Sequence, residues 1–141
     1  MMISSRGRYA LRVMLDMAKQ HSTQNISVRD LAARQNISRK YLESIMTALC
    51  KANLIESETG KDGGYHLRRA PEEYTAGEVL RAVEGELAPV SCVTPDGKKC
   101  DGACGCIALP FWQGLEQHIN TYVDSYTLQD LLTSQQEKKE N

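Results

Sequence analysis

Ser27-Val-Arg-Asp-Leu-Ala-Ala-Arg-Gln-Asn-Ile-Ser-Arg-Lys-Tyr-Leu-Glu-Ser-Ile-Met-Thr-Ala-Leu49 holds two helix starts with one sharp break between them. Ser27 followed by Asp30 resembles a capping box and opens a short helix that buries Val28, Leu31 and Ala32. Gln35-Asn36 breaks it. Ser38 caps a second helix, whose apolar residues Leu42, Ile45, Met46 and Leu49 recur at helical spacing while Arg39, Lys40, Glu43 and Ser44 face away. A short helix, a tight turn at 35–37 and a longer helix with a polar outer face is the pattern of a helix-turn-helix.

Working outward, Tyr9, Ala10, Val13, Met14, Met17 and Ala18 predict an amphipathic helix over 6–20. Downstream, Leu54-Ile-Glu-Ser-Glu58 alternates as a strand, Thr59-Gly-Lys-Asp-Gly-Gly64 reads as a flexible turn, and Tyr65-His-Leu-Arg-Arg69 as the returning strand. A hairpin directly behind such a helix is a wing, with Lys61 at its tip and Gly60, Gly63 and Gly64 free to bring backbone close to a phosphate. Thr75-Ala-Gly-Glu78 is a further capping box, and Val79, Leu80, Ala82 and Val83 make a fourth helix that Gly85 ends. Residues 87–106 show little periodicity and read as a loop whose order depends on a ligand. From Ile107 the helical pattern resumes. Trp112, Leu115, Ile119, Tyr122 and Tyr126 form a heptad-type seam with too little of its own domain to cover it, which predicts a dimer interface. Thr127 and Asp130 start a short helix with Leu128, Leu131 and Leu132, and Ser134 to Asn141 reads as a polar tail without fixed structure.

The fold expected is mostly α: a winged helix-turn-helix over 1–86, a cysteine-rich loop over 87–106, a dimerisation helix and short terminal helix over 107–134, and a polar tail over 135–141. The 141 residues carry a net charge of -1, which conceals an asymmetry. Residues 1–70 hold 12 Lys/Arg against 6 acids, and residues 71–141 hold 5 against 12. A basic half attracts a polyanion, and an acidic half keeps the whole soluble. No stretch approaches the ~20 apolar residues of a membrane span, and the first residues lack the apolar region and cleavage site of a signal peptide. These features predict a cytoplasmic protein with no membrane partner.

Of 5 cysteines, Cys92, Cys100, Cys104 and Cys106 fall close together, which in a reducing compartment indicates metal or redox chemistry. The spacing lacks the paired CxxC knuckles of structural zinc. Long gaps with Gly97, Gly102 and Gly105 suit an iron-sulfur cluster, with a thiol-disulfide sensor ranking second and zinc third. Lys98 and Lys99 favour the thiolate form. Cys50 lies within the helix that Ser38 opens and reads as a small buried hydrophobe. There is no Ser/His/Asp grouping, carboxylate pair or phosphate loop, and His21, His66 and His118 are scattered. The reading is therefore not an enzyme, and an electron carrier has no use for a basic helix-turn-helix.

Ser5-Arg-Gly-Arg-Tyr-Ala10, Asn36-Ile-Ser-Arg-Lys-Tyr-Leu-Glu43, Gly63-Gly-Tyr-His-Leu67, Thr75-Ala-Gly-Glu-Val79 and Cys106 followed six residues later by Trp112 together resemble one family. It is the family of dimeric winged-helix transcriptional repressors that includes the iron-sulfur cluster regulator IscR, the nitric-oxide sensor NsrR and the cysteine regulator CymR. The resemblance covers nearly the whole chain. It implies a homodimer on a palindromic double-stranded DNA operator, with the recognition helix in the major groove and the wing in the minor groove. Ser38, Arg39, Lys40, Tyr41, Glu43 and Ser44, together with Thr59, Lys61, Gly63 and Gly64 of the wing, are then the DNA-binding residues. Thr59 stands where IscR-like wings often carry arginine. The resemblance also implies cluster ligation by Cys92, Cys100 and Cys106, as 2Fe-2S or alternatively 4Fe-4S. The fourth ligand stays open: Leu109 occupies the place of the histidine of IscR, Arg8 that of the acidic residue of the nitric-oxide sensor branch, and Cys104 is the best local candidate. Binding would then be gated by iron-sulfur, redox or nitric-oxide sensing. The alternative is a clusterless regulator of cysteine or sulfur metabolism, controlled by its thiols or by a partner enzyme.

Overall fold

The computed structural model describes residues 3–20, 24–94 and 106–140. Helices α1 (Ser5–Lys19), α2 (Val28–Gln35) and α3 (Arg39–Lys51) are followed by strands β1 (Ile55–Glu58) and β2 (Gly64–Leu67), then α4 (Ala76–Glu84), α5 (Leu109–Asp124) and α6 (Leu128–Glu140). Local chemistry sets the boundaries. The hydroxyls of Ser27, Ser38 and Thr75 accept from the amides of Asp30, Tyr41 and Glu78, each at 3.1 Å, supplying partners for helix-end donors. Asn36 closes α2 in the left-handed region at φ 54°, a conformation that Asn tolerates.

The core lies between α1, α3 and α4, with α2 and α6 closing its ends. Val13, Met14 and Met17 of α1, Leu31 of α2, Leu42, Ile45, Met46 and Leu49 of α3, Val79 of α4 and Leu128 of α6 are completely buried. Each such side chain contributes about 1.5–3 kcal/mol by leaving water. Tyr74 is buried among them, its hydroxyl donating to Leu54 O at 2.6 Å and accepting from the amides of Arg68 and Arg69 at 2.9 and 3.0 Å. Those two amides are thereby turned away from the strand ladder. This is why β2 stops at Leu67, two residues short of the returning strand expected from alternation.

The wing pairs Ile55 with Leu67 through Glu58 with Gly64, antiparallel. Sequence alternation did not reveal a third member: Ile26, before α2, exchanges both backbone hydrogen bonds with Tyr65, at 2.8 and 2.9 Å. The pairing explains Gly64. Its φ is +149°, and a Cβ there would come within 2.5 Å of the Ile26 carbonyl oxygen.

Two differences concern the C-terminal part. Helix α5 begins at Leu109 rather than Ile107, with Pro110 in its first turn, where a missing N–H is harmless. The segment from Ser134 onward, expected as an unstructured tail, continues α6 to Glu140. Thr127 and Asp130 cap one another reciprocally, Oγ1 accepting from the Asp130 amide and Oδ2 from the Thr127 amide, both at 2.9 Å. The Gln, Glu and Lys that follow are good helix formers with no Gly or Pro to stop them. Helix α6 returns to the head: Leu128 N–H donates to Tyr74 O, and Tyr126 O accepts from the Ala76 amide.

Candidate functional site

The exposed side of α3 carries Arg39, Lys40, Glu43 and Ser44, with Ser38 at its cap. Ordinary amphipathicity produces this: the apolar stripe is spent on the core, and the polar remainder faces water. Arg39 and Glu43 form an i,i+4 ion pair at 3.6 Å, so the carboxylate expected to accept from a base already has a cationic neighbour. Tyr41 is half-buried with its ring edge-on to Tyr9, centroids 6.0 Å apart, which fixes its direction from α1. The Ser44 hydroxyl donates to Tyr41 O at 2.9 Å. Arg6 of α1 lies over the same turn, donating from Nη1 to Ser44 Oγ at 3.3 Å and from Nη2 to Ser44 O at 3.2 Å. The sequence places Arg6 and Ser44 thirty-eight positions apart, and no local pattern signals their meeting.

At the wing tip Thr59 and Lys61 are exposed. Gly63 donates its amide to Gly60 O at 3.1 Å, so that N–H closes the turn, while Gly64 packs on Ile26. The close backbone approach these two glycines permit is made within the protein. A polar cluster braces the wing from mid-strand to its turn. Asn25 donates to Glu58 Oε2 at 2.8 Å and Asp62 O at 3.1 Å, and its Oδ1 meets His66 Nδ1 at 2.9 Å. The other ring nitrogen of His66 meets Glu56 Oε2 at 3.0 Å. Together with the Ile26 pairing, these bonds tie the wing's position to the start of α2.

A second network joins the head to α5. Arg81 of α4 holds Asp124 with two bonds of 2.8 and 2.9 Å and Asn120 Oδ1 with one of 2.7 Å. Asn120 in turn donates to Leu87 O at 3.0 Å, where the cysteine loop begins. The hydrogen bond to Asp124 raises the Arg81 pKa above its ordinary value, so the guanidinium stays charged. Gly77 allows this approach: a Cβ there would collide with the Asp124 carboxylate. At the other end of α4, Glu84 Oε1 accepts from the amides of Ser4 and Gly7 at 3.0 and 3.1 Å, and from the Ser4 hydroxyl. A carboxylate there suits the positive end of α1.

No residue of α5 is buried. Leu115 and Tyr122 of the expected seam are exposed, as is Tyr126 just beyond the helix, while Trp112 and Ile119 are half-buried. The heptad spacing missed Phe111, which is 65% exposed and stacks edge-on to Trp112. Tyr122 and Tyr126 pack ring to ring at 5.1 Å. Phe111, Leu115, Tyr122 and Tyr126 thus leave exposed apolar side chains along one side of α5 and just past its end, a candidate interaction surface.

Cys92 sits half-buried on a single 3-10 turn, Ser91–Val93, that packs against α5, and Cys106 is exposed three residues before that helix. Both are free thiols. Cys100 and Cys104 lie outside the described residues, as do Gly97, Lys98, Lys99, Gly102, Gly105 and His21. Among the described residues no three His, Cys, Asp or Glu side chains come together as a metal site. The two described thiols are soft donors of the kind an iron-sulfur cluster takes. Leu109 supplies no donor, and Arg8 is engaged with Ser5 Oγ at 3.1 Å. Cys50 is half-buried on α3, where desolvation pushes its thiol above the usual range. Among the described residues no helix is long and apolar enough to cross a membrane.

Residues 3–134 match the Rrf2 family, described as an iron-dependent transcriptional regulator. The HTH-type transcriptional regulator IscR of Aliivibrio salmonicida is 34% identical over 94% of this chain and 77% of its own length. Among solved structures, CymR, the global cysteine regulator of B. subtilis, superposes with a TM-score of 0.75 at 33% identity, covering 95% of this chain and 98% of its own. T. potens IscR superposes with a TM-score of 0.76 at 30% identity, covering 98% and 90%.

Proposed function

Because the chain belongs to the Rrf2 family of transcriptional regulators, we propose that it acts as a homodimer on palindromic double-stranded DNA, under the control of an iron-sulfur cluster held by the cysteine loop. The observation that carries this reading is the pair of free thiols, Cys92 and Cys106, at the two ends of a segment that links the head to an uncovered apolar helix. In this reading α3 enters the major groove. Lys40 and Arg39 supply charge, Ser38 and Tyr41 orient the helix, and Glu43 accepts from a cytosine amino group. Thr59 and Lys61 reach the minor groove on a wing shaped by Gly63 and Gly64. Two heads related by a two-fold axis meet successive grooves ~34 Å apart, and the strip containing Trp112, Leu115, Ile119, Tyr122 and Tyr126 forms the dimer.

Cys92, Cys100 and Cys106 would hold the cluster with Cys104 as the fourth ligand, as 2Fe-2S or else 4Fe-4S. When bound, the cluster would supply a centre sensitive to oxidation, to loss of iron and to nitric oxide. The likeness to CymR over nearly all of both chains supports a second reading, in which the thiols themselves or a partner enzyme of cysteine or sulfur metabolism carry the signal. Anaerobic purification with an absorption spectrum and an iron and acid-labile sulfide assay tests between them. A coloured protein with iron and sulfide in equal amounts, lost in Cys92→Ala, Cys100→Ala and Cys106→Ala, is the expected result. A colourless protein that binds DNA without iron would leave the thiol or partner-enzyme reading.

A further inference from the structure

We infer that Arg6, in the first turn of α1, is a DNA-phosphate ligand, so that α1 and α3 grip the duplex together and Arg6 takes the outward role expected of Ser44. The inference rests on the DNA-binding reading above. A serine hydroxyl has one hydrogen to donate, and Ser44 donates its own to Tyr41 O at 2.9 Å while its oxygens accept from both terminal nitrogens of Arg6 at 3.3 and 3.2 Å. Little of Ser44 remains for a base. The guanidinium, by contrast, has five N–H donors in a planar fork, and the contacts to Ser44 engage its two terminal nitrogens once each.

The partners of Arg6 also distinguish it from the arginines that brace the fold. Arg34 holds Asp16 at 2.8 Å, Arg69 holds Glu78 at 2.6 Å and Arg81 holds Asp124 at 2.8 Å. Arg6 is held by two neutral oxygens, and it takes part in none of the ion pairs among the described residues. Its charge therefore stands on the flank of α3, the helix that carries exposed Lys40 one turn before Ser44. An arginine fork matches a phosphate in a two-point geometry. One already fixed on Ser44 loses less side-chain freedom on binding than an exposed lysine does.

The experiment measures binding of the full chain to two short duplexes across a range of potassium chloride concentrations, one of arbitrary sequence and one selected by the wild-type protein from a random pool. Arg6→Ala is expected to weaken both duplexes by similar factors and to lower the salt slope by about 0.9 for each head engaged. Arg6→Lys should keep most of the slope and lose part of the affinity. Circular dichroism and sedimentation establish that each variant is folded with its oligomeric state unchanged. An unchanged slope for Arg6→Ala, while Lys40→Ala measured in parallel lowers it, overturns the inference and leaves the DNA-binding reading standing. A loss confined to the selected duplex also overturns it, since that is base reading or positioning of Ser44. If the wild-type chain binds neither duplex, the DNA-binding reading falls and takes the inference with it.

Discussion

The head and α5 spend their apolar residues in opposite ways. In the head, Met14, Met17, Leu31, Leu42 and Ile45 are wholly buried against one another, and the polar faces left over are the ones available to DNA. Helix α5 has a comparable density of large apolar side chains and buries none of them, with Phe111 and Tyr122 each about two-thirds exposed. One unit is complete as a single chain. The other is pinned by its neighbours, through Arg81, Asn120 and the return of α6, and its exposed strip is the surface proposed above for the second copy.

Leu42→Ala is the harshest way to probe that contrast, because it opens a cavity at the centre of the head. It should destabilise the fold by about 2–5 kcal/mol, read as a lower urea midpoint. The paired change Phe111→Ser with Tyr122→Ser should leave head stability near wild type. It should weaken self-association by about 30-fold, or ~2 kcal/mol, in sedimentation. If it unfolded the head, the two regions would not be separable as described. Arg81→Ala tests the seam between them. Its bidentate pair is partly exposed, so a cost of about 1 kcal/mol is expected, together with looser protection of α5 amides in hydrogen exchange.

The smallest effect concerns Cys50. Burial raises its thiol pKa, so less thiolate is present at a given pH. With the four loop cysteines replaced by serine, alkylation at mildly alkaline pH should proceed more slowly than for a free cysteine. Urea should abolish the difference, and equal rates in the absence of urea would contradict the burial argument.

The same contrast explains what could be read from the sequence. The α1–α3 core, the Ser27, Ser38 and Thr75 caps and the break at Asn36 are local signals, each spanning a few residues, and they were legible. The Ile26 bridge to Tyr65, the Tyr74 hydroxyl that ends β2, the Glu84 cap on α1 and the Arg6 contact with Ser44 join positions that no helical or strand period relates. The reach of α6 past Ser134 escaped because its polar residues resemble a tail in composition, whereas helix propensity and the Leu128 anchor decide its structure. Of the proposed site, the identities of the α3 residues could be read in advance. Their existing commitments, Glu43 with Arg39 and Ser44 with Arg6, could not.

The anchoring of α5 also has a mechanical consequence. Its C-terminal end is clamped by Asp124 on Arg81 and, just beyond, by Tyr126 on Ala76, while its first residue follows directly on the segment carrying Cys106. A rod fixed at one end behaves as a lever, and 16 residues give an arm of ~24 Å, so a tilt of only about 10° displaces the free end by ~4 Å. The Asn120 bond to Leu87 lies close to the pivot. A pull at the far end would therefore reach α4 as a small displacement under multiplied force, and Glu84, bonded to the Ser4 and Gly7 amides, connects α4 to the first turn of α1.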